Sequence, residues 1–344
     1  MNKPLQVIGL SLLFSALAVV LLLLTGEKLD PRAFVGIVQI QPLGVVALVP
    51  TLMIWWVLMG WRVKTLASQL EGGKQITLWR GTQASLLSLF SAAVTPAASG
   101  SSFGLGWYLS RFIDPKQATA IAVYGLVLDM VFFAWSLPVS FLLLTWRGIN
   151  LEIPVVGSLL GPISVLGAFV LGFLAWGLAN KTSVLIQIVW FIFSLGFLRR
   201  FRRRVCKFLR RTEREIGSLR KMPLGVQLGL HLINGVSWFF HFAAFNVVAW
   251  ALGIPNFDHV GIMAVQSLVV SSSFIVPTPG GSGYFDFALG KAFAVVGVSI
   301  EARTPLVLVW RFISYYLYVL IGPLIGGAAL LRASNASHKT DPST

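Results

Sequence analysis

Residues 271–290, SSSFIVPTPGGSGYFDFALG, interrupt an apolar region of the chain. Pro277, Pro279, Gly280, Gly281 and Gly283 cannot sustain a helix there: proline lacks an amide donor, and glycine loses the most backbone entropy on ordering. Long apolar segments flank the break on both sides. Loose backbone groups inside a lipid core must be satisfied by protein or water, so such a break is a candidate ligand site where the flanking segments cross a membrane.

Composition says that they do. Hydrophobic residues make up 56% of the 344-residue chain and charged residues 11%, with a mean hydropathy of +0.81. Several apolar runs are long enough to cross a hydrocarbon core of roughly 30 Å. The expected fold class is an all-α polytopic membrane protein of about 8–9 transmembrane helices with two re-entrant broken segments. The net charge of +15 does not point to nucleic acid, because the basic residues fall largely between apolar segments, as the positive-inside rule requires. Cys206 is the single cysteine, which excludes an intrachain disulfide and a thiolate metal cluster.

Taken in order, the chain offers an uncleaved first helix at Leu5 to Thr25, then an outer loop with the balanced charges Glu27, Lys28, Asp30 and Arg32. A second apolar run spans Ala33 to Gly60, and Arg62, Lys64, Lys74 and Arg80 after it predict a cytoplasmic loop. Gly81 to Val94 is short for a crossing and ends in Thr95-Pro-Ala-Ala-Ser-Gly100, a second break. Ala118 to Trp146 carries Asp129 near its middle; Val155 to Leu178 and the marginal Val184 to Leu198 follow. A basic run from Arg199 to Lys221 then gives the strongest topology signal, lying against anionic headgroups on the cytoplasmic side or forming a specific lipid or protein site. Leu224 to Leu252 sets Gln227, His231, Asn234, Trp238 and His241 on one stripe expected to face the protein interior. No carboxylate or cysteine partners stand at ligand spacing to these histidines, and no metal site is expected. After Val260 to Val276 and the opening stretch come the short segment Phe285 to Gly297, a polar turn at Glu301 and Arg303, and a last helix, Leu306 to Leu331, bearing Arg311.

The two breaks are alike. Thr95-Pro-Ala-Ala-Ser-Gly100 and Thr278-Pro-Gly-Gly-Ser-Gly283 share four of six residues, and each is followed by a short segment, a turn with proline and a long helix bearing an ionisable residue. Paired interruptions in two halves point to a transport site near the bilayer midplane. Counting spans from the basic run makes the two breaks enter from opposite faces, an inverted repeat. The expected organisation is one membrane domain over residues 1–332, with repeat units 81–146 and 260–331, a cytoplasmic loop 199–222 and a disordered polar tail 333–344.

A short helix starting near Gly283 would turn its first amides, the positive end of its dipole, toward the membrane interior, where phosphate is the natural ligand. Gly280, Gly281 and Gly283 would let that ligand reach the backbone; the same glycines would also serve a purely structural turn. Asp286 in the first helical turn satisfies the dipole, pairs with a headgroup amine, carries a coupling proton, or pairs with Arg311. Asp129, Asp286 and Arg311 stand out because ionisable residues inside a membrane are expensive and usually functional. With Ser99 and Gly100 of the first break, these residues make up the expected substrate-binding set. No cofactor is expected.

The element Pro277-Thr-Pro-Gly-Gly-Ser-Gly-Tyr-Phe-Asp286, followed by Trp310-Arg-Phe-Ile-Ser-Tyr-Tyr316, resembles the transmembrane family of lysylphosphatidylglycerol synthase, which includes the flippase part of the multiple peptide resistance factor and many stand-alone membrane proteins. The resemblance runs from the first helix to about Leu331, with Arg311 matching the family's arginine in the last helix. Asp286 stands where glutamate is usual, and Ala97-Ala98 replace the glycine pair of the first half. The resemblance implies translocation of a phospholipid or lipid-linked headgroup between leaflets of a bacterial or archaeal plasma membrane. It does not imply aminoacyl transfer, and no catalytic constellation is present in the sequence. The alternative is a non-transporting accessory protein that binds a lipid or partners a biosynthetic enzyme; a homo-oligomer is also compatible.

Overall fold

A computed structural model describes residues 41–95, 98–149, 160–192, 203, 206, 210, 216, 217, 219–254, 258–273, 278, 280, 281 and 284–327. The expected helix Leu5 to Thr25 and the tail 333–344 lie outside the described residues. Among those described there are helices and no strand. They are α1 Pro42–Ser68, α2 Leu78–Ala93, α3 Ser101–Leu109, α4 Pro115–Trp146, α5 Leu160–Asn180, α6 Thr182–Ile192, α7 Leu224–Ala251, α8 His259–Ser273, α9 Tyr284–Val295 and α10 Ile300–Arg311. A π-helical segment, Phe312–Tyr316, continues α10. Among the described residues, five stretches are long and apolar enough to cross a membrane: α1, α4, α7, Pro162–Asn180 within α5, and Pro305–Gly327.

The central pair is α1 and α7, packed antiparallel. The amide of Gln41, before α1, donates to the carbonyl of Ala251 at the end of α7 at 2.8 Å, while Arg62 late in α1 bonds Asn234 early in α7. Small residues let the backbones close up: a Cβ on Gly44 would collide with Ala251, and one on Gly60 with Thr82 of α2. Without a hydrophobic drive between helices in lipid, such close approach is the main source of packing energy.

Two helical hairpins lie against this pair. In the first, α2 begins beside Gly60, where a Cβ on Gly81 would meet the Gly60 carbonyl. Its N-cap, Thr77, accepts the Arg80 amide at 3.3 Å. The hairpin returns through α3: Tyr108 donates to Gln83 at 2.5 Å, and Arg80 lies 4.3 Å over the Phe112 ring. The first hairpin therefore opens at the Ser68 end of α1. In the second, Asn246 of α7 donates to the His259 carbonyl at the start of α8 at 3.3 Å, and Phe293 near the end of α9 packs 4.7 Å from Phe245. The second hairpin opens at the opposite end of the α1 and α7 pair. Both broken segments are thus re-entrant, and they enter from opposite ends.

The expected repeat units are 81–146 and 260–331. The spacing that aligns Thr95 with Thr278 also brings α1 onto α7, α2 onto α8, α3 onto α9 and α4 onto α10, to within two residues at each helix start. It sets Trp55 opposite Trp238 as well.

Three readings need correction. Arg62 and Lys64 belong to α1, which runs on to Ser68, rather than to a loop; no proline or positive-φ glycine stops the helix until Gly72. Glu301 and Arg303 are in α10, which starts at Ile300 after Ser299 and tolerates Pro305 inside it, as membrane helices do when neighbours re-satisfy the backbone. His231 is exposed rather than interior, whereas Asn234 and His241 are buried. In the basic run, Arg203 and Arg210 are exposed while Cys206, Ile216 and Leu219 are buried. The last two residues join the cluster that holds Ile76 and Ile113 at the mouth of the first hairpin.

Candidate functional site

The hairpin tips meet in the middle of the molecule. The first is tied by Thr95, whose hydroxyl donates to the Ser91 carbonyl at 2.7 Å and accepts the Gly100 amide at 2.8 Å. Ala98 takes the left-handed conformation, φ 52°, and the aligned Gly281 has φ 63°. The left-handed conformation therefore recurs at aligned positions, once on a glycine and once on an alanine whose Cβ costs roughly 1–2 kcal/mol. At the second tip Gly280 also has positive φ, and a Cβ there would strike the Tyr315 ring and come within 3.0 Å of the Ala93 carbonyl at the end of α2.

A cavity of about 230 Å³ lies where the tips approach, lined by Ala98, Ser101 and Ser102 of the first, by Gly280, Gly281 and Phe285 of the second, and by the facing surfaces of α1, α4, α7 and α10. Trp55, Trp238 and Trp310 wall it around His241, with ring centroids 4.3, 5.3 and 5.3 Å from the imidazole. Tyr318, also lining, accepts from Trp56 Nε1 at 3.2 Å.

Charge enters from two sides. Arg311 is buried at the start of the π-helical segment, its guanidinium 4.6 Å from the Tyr315 ring centroid and its Nη1 3.4 Å from the Gly280 carbonyl. The widened helical turn places Ser314 and Tyr315 on the cavity beside Arg311; π turns of this kind often mark functional positions. Across the cavity, Nη1 of Arg62 donates to Asp129 Oδ1 at 2.7 Å and to the side-chain oxygen of Asn234. Trp238 Nε1 donates to the same Asp129 oxygen at 2.9 Å, and Asn234 Nδ2 donates to the Leu128 carbonyl at 3.0 Å. An isolated charge here would be untenable, so the ion pair and the bonds from Asn234 and Trp238 are what permit the arginine and aspartate to be buried. The Asp129 side chain keeps 21% exposure against 8% for Arg62, so the carboxylate still reaches the cavity.

Of the expected substrate-binding residues, the cavity brings together Gly280, Gly281, Arg311 and Asp129. Ser99 and Gly100 sit in the first tip, with Ser99 exposed and Gly100 held by Thr95; neither lines the cavity. Gly283 lies outside the described residues. Asp286 is in the first turn of α9, and its side chain also lies outside them. The sequence reading missed Arg62, Trp55 and Trp238 as lining residues. The repeat could have found the two tryptophans, since they occupy aligned positions. Among the described residues no group of three His, Cys, Asp or Glu side chains could hold a metal ion.

The family model described as "Lysylphosphatidylglycerol synthase TM region" matches residues 7–322. A UPF0104 membrane protein from Archaeoglobus fulgidus is 25% identical over 285 residues, covering 81% of this chain and 84% of the relative. This chain belongs to the lysylphosphatidylglycerol synthase transmembrane-region family, and it is an integral membrane protein.

Proposed function

We propose that the protein is a lipid translocase that moves a phospholipid or lipid-linked headgroup between leaflets, with the phosphate passing through the central cavity. The observation that carries this reading is the meeting of two re-entrant hairpins, entering from opposite ends, at one cavity. Among its described lining residues, two guanidinium groups face one carboxylate. Hairpins that enter from opposite ends suit alternating exposure of a fixed site, and the lining guanidinium groups of Arg62 and Arg311 suit an anionic headgroup. Acyl chains would remain in lipid, since the cavity is sized for a headgroup. Gly280 and Gly281 would bring backbone within reach of the phosphate, and Arg311 would grip it.

The test is reconstitution. Purified protein in liposomes should accelerate the leaflet exchange of at least one anionic or aminoacylated phospholipid in a labelled panel above protein-free vesicles. Equal rates across the whole panel would reject transport and leave the accessory reading. That reading predicts that Asp286→Asn and Arg311→Gln leave the partner pathway intact, whereas truncation of the Arg199 to Lys221 segment abolishes it.

A further inference from the structure

Arg62 uses only part of its guanidinium. Its Nη1 holds both Asp129 and Asn234, while Nε is buried with no hydrogen-bond partner and Nη2 makes no hydrogen bond among the described residues. Nε and Nη2 form the side-on fork of an arginine, which matches two oxygens of a phosphate or carboxylate. Leaving a buried donor unsatisfied costs about 1–3 kcal/mol, so an unfilled fork in a cavity wall calls for an occupant. A Cβ added to Gly125 of α4 would have Arg62 Nη2 as its one neighbour within 4 Å, at 3.8 Å. Arg62, Gly125 and Asp129 all line the cavity. The absence of a side chain at 125 thus leaves open the approach to Nη2.

We propose that the Nε–Nη2 edge of Arg62 is a second anion site, taking a phosphate group in competition with Asp129 for the same guanidinium. This inference rests on reading the cavity as a headgroup site. It adds that each repeat supplies one cationic station, Arg62 from α1 and Arg311 from α10. At the first station a carboxylate already 2.7 Å from the arginine keeps the binding of a second anion weak enough to be reversible. The phosphate comes from a lipid headgroup or from solution, and the probes below separate the two.

The experiment measures binding of inorganic phosphate and of dihexanoylphosphatidylglycerol to full-length protein in neutral detergent, for wild type, Arg62→Lys, Asp129→Asn and Gly125→Ala. Asp129→Asn keeps an acceptor for Arg62 and Trp238 while removing the competing charge, and should tighten binding about tenfold. Arg62→Lys retains the charge but not the fork and should weaken binding about tenfold or more. Gly125→Ala guards against loss of folding: it leaves the Arg62 and Asp129 pair alone, suits a helix better than glycine, and sets a methyl before Nη2, so binding should weaken by a similar factor. A response with both probes assigns the site to phosphate in general; a response with the lipid probe alone assigns it to the headgroup. No binding by wild type, or unchanged affinity in Arg62→Lys and Gly125→Ala, overturns the proposal. Wild-type lipid exchange with unchanged affinity in these variants sinks the Arg62 site alone, whereas phosphate binding without lipid exchange sinks translocation alone.

Discussion

The two repeats build the same frame and finish it differently. In the first, the tip turn is closed by a threonine and forced onto an alanine, Ala98, and the helix that follows carries Asp129 in a hydrogen-bonded pair with Arg62. In the second, Gly280 and Gly281 both take left-handed conformations under the rings of Tyr315 and Phe285, and the following helix carries Arg311 against those rings and the Gly280 carbonyl. Among the described residues, the first tip is tied by the Thr95 hydroxyl, and the second packs two glycines under aromatic rings. The difference teaches that the second tip can pack under aromatic rings because no Cβ stands at Gly280 or Gly281.

That contrast can be broken most forcefully at Gly280. Gly280→Ala adds left-handed strain and drives a methyl into the Tyr315 ring and toward the Ala93 carbonyl, so a loss of about 2–4 kcal/mol is expected. Thermal unfolding in detergent should show a lower midpoint, and an unchanged midpoint would mean that the tips do not touch. The reverse exchange at the first tip has the smallest effect. Ala98→Gly removes a strained Cβ at φ 52° and should stabilise by about 0.5–1 kcal/mol after the entropy of the added glycine. A destabilised Ala98→Gly would show that the two turns are not equivalent.

Much of this frame could be read from residue types. The prolines and glycines of residues 277–283 and the Thr95 to Gly100 likeness announced two breaks, because no helix can absorb that run. The basic residues around 64–80 and 199–221 also marked one end of the bundle. What escaped the sequence was tertiary. Arg62 looked like the first charge of a loop, since a charged residue after a long apolar run ordinarily marks the membrane edge; only the neighbouring Asp129 and Asn234, 67 and 172 positions away, explain its burial. Pro305 read as a turn residue, although its helix starts five positions earlier. The cavity itself needed the hairpin tips to be placed together, and no local pattern encodes the approach of Gly280 to Ala93.

The central claim is that an anionic headgroup is gripped where the second tip meets Arg311. It is tested most directly by Arg311→Lys in reconstituted vesicles, with protein incorporation matched to wild type and exchange of an anionic phospholipid followed. Lysine keeps the charge but loses the planar fork, so the exchange rate should fall about 10- to 100-fold while the protein remains folded. A rate equal to wild type would contradict the account.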